Sequence, residues 1–596
     1  MSAVTPRPPG FAAFTSSPGH LARARAQQIA ALVPGARTVV TGEHTTAVLW
    51  GDLPHLGPDA PLLLVRGART PAADVTGAQA RRLLTDGVGL HHVLPPFAAI
   101  DWDAATERLV VAVDWLGMRH LYVAGEAGLV GVSTAAAVLA ASSSHRLDRQ
   151  AIGVQSLLGW QLQAATPFAG VSKIAPGSRV AMSRGRLTTL DPAPSPAVDP
   201  LPRQDAPRRA AQLLTSFVST YLDDHPDTIL QLTGGHDSRI LLGAIPPGRR
   251  SSVEALTLAV PGSPDVAIAA RLAADHGMRH RVVELRGLGA MDDEEAWSLC
   301  AAAAHDLECS ADPLAFASLR WAETALNQQP RLSGLGGEVA RGFYYVGPTM
   351  PVGVSPRLAS LLATWRMFPN ERVSSDALEP AFAAMAGEVA LDRVHQALES
   401  AAPAWWPATD EFYLWQRMQR WAGTLATATC FDRVVINPML DHDFLQVARD
   451  LPPRDKKNMR FLSRILLELD PRLADIPLDN RPAPRTYAQP SLANRMRLSA
   501  TQSGRVIDKA RQRWSHTTHP PAGGDVLADK VVRHWRANPG LLDPVRELEV
   551  FRPSWLDELV SGRRSVDASA VAFLVNLAVA TGTTTAVSAG SASLRT

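Results

Sequence analysis

At 596 residues the chain exceeds what one hydrophobic core holds, and 46% hydrophobic against 19% charged residues is the balance of a folded protein with two or more domains. Its 59 basic and 57 acidic residues nearly cancel, which gives no support for a nucleic-acid or membrane-surface partner. Cys300, Cys309 and Cys430 stand in no CxxC or Cys/His spacing; they exclude a disulfide framework and read as buried small apolar residues in a reducing, cytoplasmic setting.

The opening "MSAVTPRPPGFAAF" lacks the charged segment and apolar core of a secretory signal. Up to about Leu190 the chain carries short Val-rich segments broken by glycine, "RLVVAVDWLG", "HLYVAG" and "GLVGVST", which read as strands. Six prolines then crowd between Pro192 and Pro207, the best candidate for a domain boundary. Beyond it strands ("TILQLT", "VEALTLAV") alternate with helical patterns such as "DVAIAARLAADHG", where Gly277 is a candidate cap. That alternation implies a parallel sheet covered by helices, followed from about Leu358 by a mainly helical region. The apolar run "AVAFLVNLAVA" is too short to cross a bilayer and contains Asn576. The last stretch, "ATGTTTAVSAGSASLRT", reads as low-complexity and disordered. The expected organisation is a first domain over 1–190, a linker over 191–207, a second domain over 208–580 and a tail over 581–596.

One stretch carries chemistry: "ILQLTGGHDSRILLGAI", Ile229 to Ile245. A buried strand passing through Thr233, Gly234 and Gly235 into a helix creates an anion site, because backbone N–H groups and the helix dipole converge there. Thr233 and Ser238 offer hydroxyl donors to a phosphate. Asp237 would be repelled by one unless a cation lay between them, which makes it a candidate Mg²⁺ ligand. A plain strand-to-helix turn with Ser/Asp capping accounts for the same residues.

"LTGGHDSR" resembles the SGGxDS loop of the PP-loop ATP pyrophosphatases, with Gly234, Gly235, Asp237 and Ser238 matching and Thr233 replacing a serine. No Gly-Lys-Ser/Thr follows, so it is not a Walker A loop. Three further segments resemble the asparagine synthetase-like branch in order: "SPDVAIAARLAADHGMRHRVVEL", "LSGLGGEVARGFYY" and "INPMLDHDFLQVARDLP", with "KKNMRFLSRILLELDPRLADIPLDNRP" continuing to Pro482. "PPFAAIDWDAATERLVVAVDWLGMRHLYVAGEAGLVGVST" and "FAGVSKIAPGSRV" resemble the glutaminase domain of the same family. The resemblance implies an N-terminal Ntn-hydrolase-like αββα domain, then a PP-loop α/β domain with a helical C-terminal region. It implies ATP and Mg²⁺ as cofactors. Leu232, Thr233, Gly234, Gly235, Asp237, Ser238, Arg239, Thr257, Leu258, Gly334 and Gly336 would line the nucleotide, and Asp237 and Glu338 would hold the metal. Asp441 is retained, Arg341 adds positive charge near the phosphates, and Lys456 and Lys457 match a lysine near the nucleotide.

Departures from the family narrow the function. The glutaminase nucleophile is a cysteine at position two, where this chain has Ser2. A serine can act there in principle, but a remnant domain without glutamine hydrolysis is the expectation. β-Lactam synthetases use a Tyr/Glu pair; the aligned residues here are Leu335 and Ala422, which cannot act as bases. The family lysine that stabilises adenylate and pyrophosphate is replaced by Ala483, leaving Arg485, Arg481 and Lys457 as catalytic cations. The expected activity is ATP-dependent, AMP-forming amide ligation, most specifically macrolactam formation on a precursor peptide as in lasso-peptide cyclases, with a leader-binding protein and a leader peptidase as further partners. A small-molecule or glycan carboxylate is the alternative substrate, and a nucleotide-binding scaffold the alternative class. Trp405, Trp406, Trp415 and Trp421 are candidates for a peptide groove, with packing between helices as the competing account.

Overall fold

The structure, a computed structural model, describes residues 8–53, 61–142, 146–192, 201–260, 263–285, 287–347, 351–479, 481–488, 491, 494 and 523–593. Ser2 and residues 193–200 of the Pro-rich stretch lie outside the described residues.

The first 190 residues build two antiparallel sheets. One contains β1 (Gly10–Ser16), β2 (Arg37–Thr41), β3 (Thr45–Trp50), and further along the chain Tyr122–Glu126, Leu129–Ser133 and Val171–Lys173, with β1 in the interior. The other is built from Leu62–Leu63, Ala98–Asp103, Arg108–Val113, Arg179–Ser183 and Arg186–Leu190. Strand periodicity decides what β1 touches. Phe11 and Ala13 enter the core between the two sheets, whereas Ala12 and Phe14 face the layer of the helix His20–Leu32. With the helix Gly77–Thr85 over the second sheet, this is the αββα sandwich that the pattern implies.

A helix over Ala206–Asp224 leads into a five-stranded parallel sheet. Numbering its strands β4 (Ile229–Gln231), β5 (Glu254–Ala259), β6 (His280–Glu284), β7 (Arg331–Leu332) and β8 (Val435–Ile436), the order across the sheet is β6-β5-β4-β7-β8. The chain therefore builds outward from β4 on one side, then returns to pair β7 on its other side. β4 and β7 run parallel, with Ile229 opposite Arg331 and Leu230 opposite Leu332. This is a topological switch point, where loops leaving the carboxyl ends of adjacent strands separate and open a crevice.

Residues from Pro356 onward are mainly helical. The run Ala570–Ala580 is buried inside the helix Ala568–Ser593, and Asn576 Nδ2 donates to the Ala311 carbonyl at 2.8 Å. That helix continues to Ser593, through the stretch that low complexity implied to be disordered. Among the described residues no helix is long and apolar enough to cross a membrane, and all three cysteines are buried.

The two regions share a core, and polar ties cross between them. His120 N donates to Thr427 Oγ1 (2.8 Å), the Glu308 carboxylate accepts from Ala137 N (2.9 Å), and Gln155 Nε2 donates to the Cys309 carbonyl (2.8 Å). Arg69, fully buried, lies over Tyr221 and pairs with Asp224 and Asp74.

Lys173 is another buried cation, donating to the Gly117 and Ile174 carbonyls at 3.2 Å. Burial pulls it down to about 7, Arg420 adding to the fall and Asp114 opposing it. The unfolded chain then holds a proton that the folded chain releases between about 7 and the ordinary lysine value of 10.5. Its destabilising effect is complete below pH 7 and is relieved as pH rises through that window. Urea unfolding of Lys173→Met should show a shallower rise in stability between pH 7 and 9 than the parent; equal slopes would show that Lys173 does not titrate there.

Candidate active site

The crevice beside β4 and β7 is bounded by the loops 232–235 and 333–338. The first loop leads into the helix His236–Ala244, which has no side-chain cap at Gly235. Its first amides are thus left for an anion. Within the loop, Thr233 N donates to Ser238 Oγ (3.1 Å), Gly235 N to Thr233 Oγ1 (3.2 Å) and Gly234 N to Asp265 Oδ1 (2.7 Å). A Cβ on Gly234 would stand 2.9 Å from the terminal methyl of Ile268 and 3.1 Å from Asp265 Oδ1, so a larger residue there would have to displace both side chains.

The second loop lies directly on the first. A Cβ on Gly334 would meet the Asp237 carbonyl carbon and Ser238 N at 2.8 Å, and one on Gly337 would meet Asp237 Oδ1 at 2.2 Å. Gly336, at φ +114° in the region that favours glycine, would place a Cβ 2.7 Å from the Met439 carbonyl oxygen. These glycines let Asp237 and Glu338 approach each other. Arg341 joins them, with Nη2 3.2 Å from Glu338 Oε1 and Nη1 3.8 Å from Asp237 Oδ2.

Asp237 Oδ1 is sealed from solvent and has no hydrogen-bond partner. Burial pushes this carboxyl up to about 7; Arg341 opposes the rise, Glu338 adds to it and Arg481 opposes it. Two facing carboxylates, one with an orphaned buried oxygen, are a donor set that fits a divalent cation. Among the described residues no cluster of three or more His, Cys, Asp or Glu side chains accompanies them.

Other expected site residues are placed differently. Arg239 is fully buried and turned into the fold: it donates to the Gly234 carbonyl (3.2 Å), the Pro477 carbonyl (3.0 Å), and those of Leu473 and Ile476. It braces the loop from beneath instead of offering charge to a phosphate, because backbone carbonyls surround it. Thr257 likewise turns inward, its hydroxyl donating to the Leu232 carbonyl at 2.7 Å, and the Leu232 side chain is core. Arg485 lies at the surface, paired with Asp475 and with Nη2 also 3.0 Å from the Pro471 carbonyl. Arg481 stays with the crevice: nearby, Asp479 N donates to the Gly234 carbonyl of the first loop (3.3 Å), and the charge of Arg481 is felt by both Asp237 and His236. Lys457 lies 5.0 Å over the Trp406 ring. Asp441 is a helix cap, accepting from Phe444 N at 3.1 Å.

A buried cluster four residues beyond Arg341 was not legible in sequence. Lys456 Nζ and the Tyr345 hydroxyl each lie 2.6 Å from Asp410 Oδ2, and Tyr345 stacks on Trp406 at 4.8 Å. Only the two lysines gave a signal, and nothing in the sequence distinguished the buried Lys456 from the stacked Lys457. The tryptophans mostly pack: Trp405 donates to the Val346 carbonyl, Trp415 to Glu411, and Trp421 lies under Arg417. Leu335, Ala422 and Trp421 line a cavity of about 440 Å³ that reaches Thr233 and Ser333 at the loops.

Residues 88–191 match the family model of a glutamine amidotransferase domain. The match covers the second antiparallel sheet apart from Leu62–Leu63 and part of the first, so the chain carries an amidotransferase-type domain there, compatible at a coarse level with an asparagine synthetase-like protein. No curated protein matches the chain.

The loop contact predicts a steric phenotype. If the crevice holds ATP, Gly337→Ala should lower its binding by at least tenfold in calorimetry while leaving the melting temperature within a few degrees, since the new methyl meets Asp237 and not the core. Unchanged ATP affinity would show that this carboxylate does not face the nucleotide.

Proposed function

We propose that the crevice is the adenylation site of an ATP-dependent, AMP-forming amide ligase. The observation that carries this reading is the convergence of Asp237, Glu338, Arg341 and Arg481 at an uncapped helix N-terminus. A substrate carboxylate oxygen would attack the α-phosphorus of ATP as the bond to the pyrophosphate oxygen breaks. An amine would then displace AMP from the acyl-adenylate, forming the amide and losing a proton.

In this reading the helix amides and Gly235 hold the phosphates, and Arg239 keeps the loop rigid by occupying its carbonyls. Arg341 and Arg481 oppose the charge that grows on the departing pyrophosphate, the type of preorganised stabilisation that contributes most to such barriers. Asp237 and Glu338 would hold Mg²⁺, which when bound supplies charge neutralisation among the phosphates. Arg481 thus takes the role vacated at Ala483.

The amine would not come from glutamine. In this reading Ser2 stands at the position of the family's cysteine nucleophile, and the amine is supplied by the substrate. The more specific form of the proposal is macrolactam closure on a precursor peptide, supported by the apolar Leu335 and Ala422 where a small-molecule cyclase would place a base pair. A leader-binding protein and a leader peptidase would then be partners.

ATP–pyrophosphate exchange tests the chemistry. Arg481→Ala should reduce exchange by about 10²-fold or more, the usual effect of deleting one transition-state donor. Arg485→Ala should stay within about threefold. Equal losses would overturn the assignment to Arg481, whereas exchange absent from the unmodified protein with every peptide and acid offered despite ATP binding would favour a nucleotide-binding scaffold. Intact mass of a co-expressed precursor peptide tests closure, which removes one water.

A further inference from the structure

The cavity of about 440 Å³ beside the loops lies on one face of the parallel sheet, between the sheet, the helices Pro313–Glu323 and Gly423–Thr429, and the 65–67 and 94–96 segments of the amidotransferase-type region. Its polar groups are graded. Uncharged polar side chains, Gln231, Thr233, Ser333 and Asn437, stand at the carboxyl ends of β4, β7 and β8, next to the phosphate loops. Leu256, Leu258, Val283, Phe316 and Leu425 form the walls.

The inner end lies at the start of β7. Arg331 and Ser333 are two residues apart on one strand and therefore on one face, about 7 Å apart along it. Arg331 makes two bonds to Glu323 (2.6 and 2.5 Å), Arg433 lies 3.2 Å from the same carboxylate, and Arg320 pairs with Asp306 and Asp432. Three guanidinium groups of this cluster thus face three carboxylates, so the floor is neutral, and Arg66 at the exposed side adds one positive charge to the lining. Leu335 and Ala422 add apolar surface where a hydrogen-bonding pair would otherwise narrow the space.

We propose that this cavity receives a bulky, uncharged apolar group of the carboxylate substrate, adjacent to the carboxylate that is activated. The proposal rests on the ligase reading for its link to catalysis, but the cavity's preference is a property of its walls. An apolar cavity of roughly 150 Å³ accommodates a benzene ring, so this one has room for a group well beyond a single ring. Polar groups at the loop end and none unpaired in charge at the floor set the direction: carboxylate towards Thr233 and Ser333, apolar group towards Phe316 and Val283. A small dicarboxylic acid would leave the walls unfilled and strand its second charge against them.

The test uses the full chain and the neutral fluorescent probe N-phenyl-1-naphthylamine. The unmodified protein should bind one equivalent saturably, and decanoate should displace it at concentrations at least tenfold below those of succinate. Ala426→Phe, which fills the cavity from the helix Gly423–Thr429, should weaken probe binding by at least tenfold while ATP binding is unchanged. Leu319→Trp, at a partly exposed wall position, provides a second filling variant should the first fail to fold. Displacement of the probe by ATP, succinate equal to decanoate, or unaltered probe affinity in a folded filling variant would each overturn the proposal. Probe binding as expected in a protein that neither binds ATP nor exchanges pyrophosphate would remove the ligase reading and leave the cavity's preference standing.

Discussion

The adjacency of β4 and β7 is the constraint on which the site depends. Asp237 and Glu338 are about a hundred positions apart in sequence, yet each follows the carboxyl end of a strand by a few residues. Pairing those two strands places both carboxylates in one crevice without further adjustment. The consequence is close contact of two backbones, which explains the glycines. Gly234, Gly334 and Gly337 stand where a methyl would strike a neighbouring residue, and Gly336 also needs a left-handed backbone. The electrostatic consequence is an acidic pair whose repulsion Arg341 and Arg481 offset, leaving Asp237 Oδ1 unpartnered among the described residues.

The arginines around this crevice divide by what surrounds them. Arg239 meets backbone carbonyls and becomes a brace; Arg485 meets Asp475 at the surface; Arg341 meets two carboxylates. Arginine suits all three because its fork satisfies several acceptors at once and stays charged even when buried. A count of basic residues near a phosphate motif therefore overstates the charge available to a ligand. Here one of the three offers its charge to the acidic pair.

The amidotransferase-type region has a structural part in this arrangement beyond any chemistry of its own. Its 65–67 and 94–96 segments close one side of the cavity, and its ties through His120, Glu308 and Gln155 hold it against the helices that form the other. Arg69, sandwiched between the two regions, couples the same segment to the helix that precedes β4. That packing role does not depend on any glutamine chemistry in the domain.

Periodicity and punctuation determined much of this protein. The switch from Val-rich alternation to strand–helix alternation marked an antiparallel sandwich followed by a parallel sheet, and "LTGGHDSR" and "LSGLGGEVAR" marked the two loops, because strand ends, glycines and acids are local signals. Tertiary structure decided which side chains those loops keep. Arg239 and Thr257 sit beside the motif yet turn into the fold, and Lys456 is buried on Asp410 while its neighbour Lys457 stacks on Trp406. The cavity is likewise invisible in sequence, since its walls come from segments between Val65 and Asn437. Local chemistry is written along the chain, but the direction of a long side chain and the shape of a void depend on what distant segments bring to meet them.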